Sequence, residues 1–142
     1  LGVLHDKGYI VYRKFVKRSG YYFNGDPTAT SATDDLNTIA RNRVVDKVIK
    51  IAYNVYVEEL DDDVDITTSG AIEPAICGNL KRMIEKQVKS LMSSEISSFY
   101  ATVDSAQDIL SGLPFNIGLS IIPKGYLNPI KITIGFTNPY NA

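Results

Sequence analysis

Residues 115–121, FNIGLSI, and residues 130–136, IKITIGF, decide how this chain folds. In both stretches large apolar residues alternate with small or polar ones, and this period of two predicts β-strands with one buried face. Pro123-Lys124-Gly125 supplies turn-forming residues between them. The two stretches therefore predict a long β-hairpin near the end of the chain.

The predicted hairpin carries little charge. From Leu110 to Ala142 there is no Asp or Glu, and only Lys124 and Lys131 are charged. A strand edge with so little charge can pair with another chain unless something covers it. Pro129 has no N–H to donate, so pairing on both sides of the last strand is expected to begin only at Ile130.

Composition places the chain among ordinary globular domains and excludes several classes. It has 142 residues, 44% of them apolar and 22% charged, with a net charge of −1. This is the size of one domain, and the net charge gives no field that favours nucleic acid or a membrane surface. No apolar run approaches the roughly 20 residues of a membrane helix. The chain lacks an initiator Met and a signal peptide, so we expect a single domain, 1–142, that is the C-terminal fragment of a longer protein.

The remaining pattern predicts an α+β fold. Residues 9–16 and 21–23 are typical of an N-terminal β-hairpin, and residues 98–103 of a further strand. Apolar spacings of three and four predict one helix from about Leu36 to Leu60, capped by Thr33, Asp34 and Asp35. They predict a second helix that begins at Pro74 and ends at Ser93. We expect the two helices to pack on one face of a mainly antiparallel sheet with hairpins at both ends.

The sequence shows no recognisable catalytic site. His5 is the only histidine and Cys77 the only cysteine, and no phosphate-binding glycine loop, HExxH or CxxC pattern is present. A single Cys within an apolar helix is most often a small buried residue. We therefore expect neither enzymatic activity nor a cofactor.

Six acids form the run Glu58, Glu59, Asp61, Asp62, Asp63 and Asp65. Asp61, Asp63 and Asp65 have the spacing of ligand positions 1, 3 and 5 of a calcium-binding EF-hand loop, but Ile66 and Ile72 stand where that loop needs Gly and Glu. A solvated turn after the first long helix is the simpler interpretation. Acids at a helix C-terminus oppose the helix dipole, and a cationic partner would offset that cost.

The first half of the long helix is basic. Its basic residues are Arg41, Arg43, Lys47 and Lys50, with Asp46 positioned to pair with Lys50. A helix with a basic start and an acidic end suits head-to-tail contact between copies, although a solvated helix face explains the same pattern.

A nucleic-acid interface is a further alternative. Arg13, Lys14, Lys17 and Arg18 lie close in sequence to Tyr12, Tyr21 and Tyr22, and basic residues interleaved with aromatic ones can hold a single strand. The net charge of −1 and the lack of an RNA-binding signature argue against this function.

Several stretches together resemble the C-terminal, tube-proximal domain of contractile tail sheath proteins, and in particular sheath-like proteins of Bacteroidetes prophages. The resemblance is carried by residues 6–13, 19–24, 34–36, 40–47, 123–126 and 130–136. It covers nearly the whole chain. The chain differs from many sheath domains in having no Trp.

The resemblance implies a structural subunit of a phage, prophage or injection-machine tail, assembled in the bacterial cytoplasm. In such proteins a terminal segment adds a strand to the sheet of a neighbouring subunit. The implied exchange strand is Ile130, Lys131, Ile132, Thr133, Ile134, Gly135 and Phe136. The implied partners are other sheath subunits and a tail tube protein, with no nucleic acid, membrane or small-molecule substrate. The alternative is a small α+β domain that binds a ligand or peptide, with a pocket in place of an open strand edge.

Overall fold

The computed structural model describes residues 2–60, 62–126 and 130–132. Three helices and four strands follow one another as α1 (Gly2–Asp6), β1 (Tyr12–Arg13), β2 (Tyr22–Phe23), α2 (Ile39–Tyr56), α3 (Pro74–Met92), β3 (Ile96–Val103) and β4 (Ile117–Pro123). Single 3₁₀ turns lie at Val57–Glu59 and Ile109–Ser111. β1 pairs with β2 and β3 with β4, each pair antiparallel, so the α+β class is confirmed.

α3 has the bounds that the sequence predicts. Pro74 occupies its first turn, where the missing N–H costs nothing, and Ser93 follows its last residue. Its buried residues, Cys77, Ile84, Val88 and Met92, recur at intervals of seven, four and four and so form one stripe.

α2 begins later than predicted. Thr33, Asp34 and Asp35 do not cap it. The Asp34 carboxylate instead accepts from the Leu36 N–H at 2.7 Å and closes a local turn. The cap is Thr38, whose side chain accepts from the Arg41 N–H at 3.3 Å. Asp26, from the preceding loop, accepts from the Ala40 N–H at 2.9 Å through its carboxylate and from the Ile39 N–H at 2.8 Å through its carbonyl. This contact across the loop fixes the helix start.

The β3–β4 sheet supports both long helices on one face. Phe99 lies opposite Ile121 and Ala101 opposite Leu119, so the apolar residues of the two strands share that face. α3 packs on β3, while α2 contacts α3 and β4. The resulting core comprises Val44, Val48, Ile84, Val88, Met92, Ile96, Phe99 and Ala101. β3 begins at Ile96, two residues before the predicted start at residue 98. The pairing of β3 with β4 is irregular between Ile96 and Ser98.

The N-terminal hairpin is present but shorter than predicted. Only Tyr12–Phe23 and Arg13–Tyr22 pair, so most of residues 9–16 are outside a strand. Its aromatic side chains hold it together, with Tyr12 stacked on Phe23 at 4.8 Å and Phe15 edge-on to Tyr22 at 5.4 Å between ring centroids. Such pairs stabilise a hairpin too short for many backbone hydrogen bonds.

Candidate functional site

One edge of the β3–β4 sheet is closed by a side chain. Glu85 of α3 reaches the backbone of β3, and its carboxylate accepts from the Ala101 N–H at 3.1 Å. Because this N–H donates to a side chain of α3, we infer that it points away from β4, to the outer edge of β3. A carboxylate that occupies an edge donor prevents another strand from pairing there.

The other edge, that of β4, has no strand beside it among residues 2–60, 62–126 and 130–132. The predicted alternation of β4 is confirmed: Ile117, Leu119 and Ile121 are half-buried, and the residues between them are exposed. None of the three is fully buried, as expected for a strand at the margin of a sheet. The candidate site for strand addition is therefore the β4 edge.

The predicted exchange strand is only partly described. Ile130, Lys131 and Ile132 lie outside any strand, and the side chains of Ile130 and Ile132 are 70% and 77% exposed. Thr133, Ile134, Gly135 and Phe136 lie outside the described residues. The strand that pairs with β4 is β3, a partner that the sequence pattern did not indicate. Pairing of residues 130–136 remains a prediction.

The basic residues of α2 do not form one cluster. Arg43, Lys47 and Lys50 are exposed, and Lys47 forms an ion pair with Glu95 in the turn before β3. Arg41 is half-buried and donates to the Asn37 side chain at 3.1 Å. The expected Asp46–Lys50 pair is absent from the described residues. Exposed pairs of this kind contribute only a few tenths of a kcal/mol, too little to hold two long side chains together.

The acidic turn extends from α2 into solvent. Glu58 and Glu59 occupy the 3₁₀ turn, and Asp62, Asp63 and Asp65 are exposed, whereas Asp61 lies outside the described residues. Within the described chain none of these carboxylates has an ion pair, and no cluster of three or more His, Cys, Asp or Glu could hold a metal ion. Exposed Val57 and Leu60 accompany the charges.

A groove that the sequence did not indicate lies between the N-terminal hairpin and the start of α2. Its volume is about 1040 Å³, and its basic lining comes from three separate segments: Lys7 after α1, Arg13 on β1 and Arg41 in the first turn of α2. Exposed Phe23 and Tyr126 give it apolar walls. In the sequence, only the interleaved basic and aromatic residues at 12–22 indicated a binding surface in this part of the chain.

Arg13 is the unusual residue of this groove. Its guanidinium lies 4.2 Å from the centroid of the Phe15 ring, which fixes its orientation. Its Nε is buried and has no hydrogen-bond partner within the described structure. Lys14 and Arg18 also lie over rings of the hairpin, those of Tyr21 and Tyr22, at 5.2 Å each. A buried donor without an acceptor is costly, and a bound acceptor that the Nε meets after a small shift of the Arg13 side chain would remove that cost.

Two acids, Asp6 and Asp26, also line the groove and offset part of its positive charge, which leaves three basic side chains against two acidic ones. Asp26 is engaged with the N–H groups of α2, and neither Asp26 nor Asp6 has an ion pair in the described part of the chain. The groove is thus suited to a partner that brings carboxylate or other acceptor groups.

Half-buried Tyr56 and buried Cys77 are titratable groups that belong to the helix packing. The Tyr56 hydroxyl donates to the Leu80 carbonyl at 3.1 Å, and burial, together with the nearby Glu85 charge, raises the pKa of Tyr56 to about 12. Burial raises the pKa of the Cys77 thiol as well, and this cysteine has no disulfide. A raised thiol pKa lowers the reactive thiolate fraction, in accord with a packing role.

None of the described helices combines the length and apolar character needed to cross a bilayer. No curated protein matches the chain significantly. One family profile, DUF2586, C-terminal domain, matches residues 35–141, about three quarters of the chain and all of α2, α3, β3 and β4. Lys7 and Arg13 of the groove lie before the matched region, and Arg41 lies within it. The chain therefore belongs to the DUF2586 family, of which it contains the C-terminal domain.

Proposed function

We propose that this chain is a structural subunit of a contractile tail sheath, in a phage, a prophage or an injection machine, and that copies of it join by strand addition. In this proposal residues 130–136 of one copy pair with the β4 edge of another, and the assembly surrounds a tail tube protein. The chain then acts as a virion or injection-machine component with no catalytic role, and it assembles in the bacterial cytoplasm.

The observation that carries the proposal is the difference between the two sheet edges. On the β3 edge Glu85 occupies the Ala101 donor, whereas the β4 edge has no strand beside it in the described residues. An apolar, weakly charged segment follows β4 directly, and such a segment is suited to β-augmentation, in which main-chain hydrogen bonds join the partners. The resemblance to sheath proteins over residues 123–126 and 130–136 supports the same role for this region.

The width of the sheet gives independent support. Packed helices lie about 8–10 Å apart and strands about 4.8 Å apart, so two helices side by side cover roughly four strands. β3 and β4 supply two. α2 contacts β4, yet two of its large apolar side chains remain exposed. Ile49 is 59% exposed and Tyr53 is 66% exposed. Strands added at β4 would extend the sheet beneath the helix layer and bring new apolar surface to it.

The alternative function, a domain that binds a small ligand, rests on the groove beside Arg13. Small-molecule sites are mostly apolar with a few polar groups. The lining of this groove is about half polar and includes five charged side chains, which favours a charged macromolecular surface instead.

Electron microscopy and light scattering of the full-length protein, expressed with the products of its neighbouring genes, test the proposal. We expect rings or tubes from the unaltered protein. The variant Ile132→Pro/Ile134→Pro removes two strand N–H groups and should abolish them, while the matched variant Ile132→Ala/Ile134→Ala keeps both N–H groups and should still assemble. Monomers at every salt and protein concentration, or equal assembly by the proline variant, would contradict strand addition.

A further inference from the structure

The basic groove and the acidic turn lie at opposite ends of α2. Arg41 is in the first turn of the helix, and Glu58 follows its last residue, Tyr56. A helix of 18 residues is about 27 Å long at 1.5 Å per residue. The acidic turn of a chain therefore cannot reach the groove of the same chain, whereas that of a second copy can.

The two surfaces complement each other in charge. The groove presents Lys7, Arg13 and Arg41 against two acids, Asp6 and Asp26, and the buried Arg13 Nε has no acceptor in the described structure. The turn presents Glu58, Glu59, Asp62 and Asp63, which have no cationic partner among the described residues. Guanidinium and carboxylate groups form short, often bidentate hydrogen bonds. The groove therefore supplies donors for the turn, and the turn supplies acceptors for the groove.

The apolar groups at the two sites also correspond. Exposed Leu60 lies within the acidic turn, and exposed Phe23 and Tyr126 form walls of the groove. An interface with an aromatic or aliphatic contact inside a ring of charges excludes water from the charged pairs, which strengthens them.

We propose that the groove between the N-terminal hairpin and α2 binds the acidic turn of a second copy of this chain through Glu58, Glu59, Asp62 and Asp63. The contact is head-to-tail, because it joins two different surfaces, and contacts of this type generate rings or open helical arrays. The inference rests on the proposed function in that copies of the chain must meet, but it uses none of the residues proposed for strand addition.

Neutral substitutions in the full chain test this contact by sedimentation velocity at low salt. The groove variant is Arg13→Gln/Arg41→Gln, and the turn variant is Glu58→Gln/Glu59→Gln/Asp62→Asn/Asp63→Asn. Each should weaken self-association by roughly tenfold or more, as expected when a pair of interfacial charges loses its partner. Lys81→Gln/Lys86→Gln, two exposed α3 residues, is the control with the same change of charge as the groove variant and should associate normally.

A mixture of the two variants gives the sharper result. The groove variant keeps an intact turn and the turn variant an intact groove. With Ile132→Pro/Ile134→Pro added to both, which removes strand addition, the mixture should form a 1:1 complex through one functional contact that cannot extend. Circular dichroism and urea unfolding establish that each variant is folded. Raising the salt concentration from about 0.01 M to 1 M shortens the screening length from roughly 30 Å to 3 Å and should dissociate the contact.

The other outcomes separate the two proposals. If both variants associate like the unaltered chain while Ile132→Pro/Ile134→Pro does not, the groove contact is wrong and strand addition stands. If the groove variant self-associates like the unaltered chain but no longer binds a fluorescent oligothymidine, the groove binds nucleic acid and the inference is wrong. If the unaltered chain is monomeric at every salt concentration, both proposals fail.

Discussion

The carboxylate of Glu85, on α3, accepts a hydrogen bond from the backbone N–H of Ala101, on β3, at 3.1 Å. Ala101 is fully buried, so without Glu85 its N–H has no water to replace the carboxylate. One side chain thus stabilises the helix–sheet contact and closes a sheet edge.

Removal of this acceptor is expected to destabilise the domain. Glu85→Ala should lower the free energy of unfolding by about 1–3 kcal/mol, the cost of a buried donor left without a partner. Glu85→Gln keeps an acceptor oxygen of similar reach and should cost less. Urea denaturation measures both, and equal losses for the two variants would mean that the hydrogen bond contributes nothing.

Tyr56 should make the domain less stable in alkali. Its pKa is about 12 in the folded chain against 10.0 for an ordinary tyrosine, so between these values the unfolded chain loses the phenolic proton while the folded chain keeps it. Stability should therefore fall as the pH rises from about 10 to 12.

Tyr56→Phe should flatten that fall, at the cost of the hydrogen bond to Leu80, about 0.5–1.5 kcal/mol at neutral pH. Tyr53→Phe, on an exposed residue of the same helix, is the control and should unfold like the unaltered chain throughout. Urea unfolding at several alkaline pH values provides the comparison. A Tyr56→Phe curve parallel to that of the unaltered chain would rule out this origin of the pH dependence.

Neighbouring residues of α3 should differ sharply in their contribution to stability. Ile84 is fully buried against the sheet, and Ile84→Ala should cost about 2–5 kcal/mol through lost burial and the cavity left behind. Met83, the preceding residue, is 36% exposed, and Met83→Ala should cost well under half as much. Chemical denaturation of both variants measures the difference. Similar losses would be inconsistent with the described face of α3.

Gly118 tests the register of β3 and β4. A Cβ at this position would lie 2.5 Å from the Thr102 Oγ1 on the paired strand, so Gly118→Ala requires that side chain to move. Thr102 is exposed and able to rotate, which limits the expected loss to about 1 kcal/mol. Gly118→Ala/Thr102→Ala should recover most of it relative to Thr102→Ala alone. A double-mutant cycle by thermal or urea unfolding gives the coupling free energy between Gly118 and Thr102. A coupling free energy of zero would contradict this register.

Local signals in the sequence were sufficient for α3 and for the alternation of β4. Pro74, the apolar stripe and Ser93 act within one helix, and the alternation of residues 117–121 acts within one strand. Contacts between distant segments were not predictable in this way. The start of α2 depends on Asp26, twelve residues before the Thr38 cap, and local turns compete with the apparent caps at Thr33 and Asp34.

The candidate sites show the same division. The charges of residues 58–65 and of α2 were evident from sequence, but the groove arises only when Lys7, Arg13 and Arg41 are brought together from three segments. Similarly, a period of two identifies β4 as a strand but does not select its partner. The choice of β3 depends on the helices that bury Phe99 and Ala101.

The register of the sheet also determines how the domain would carry a pulling force. Pro123, the last residue of β4, lies opposite Ile96, which is buried immediately after α3. Tension on the segment beyond β4, directed along the strand, would load the paired residues from Pro123 to Ile117 together in shear, not peel them apart one by one. Because β3 carries the buried residues Phe99 and Ala101, the load would pass along the whole strand into the core, so a pulled tail would be anchored at the centre of the domain.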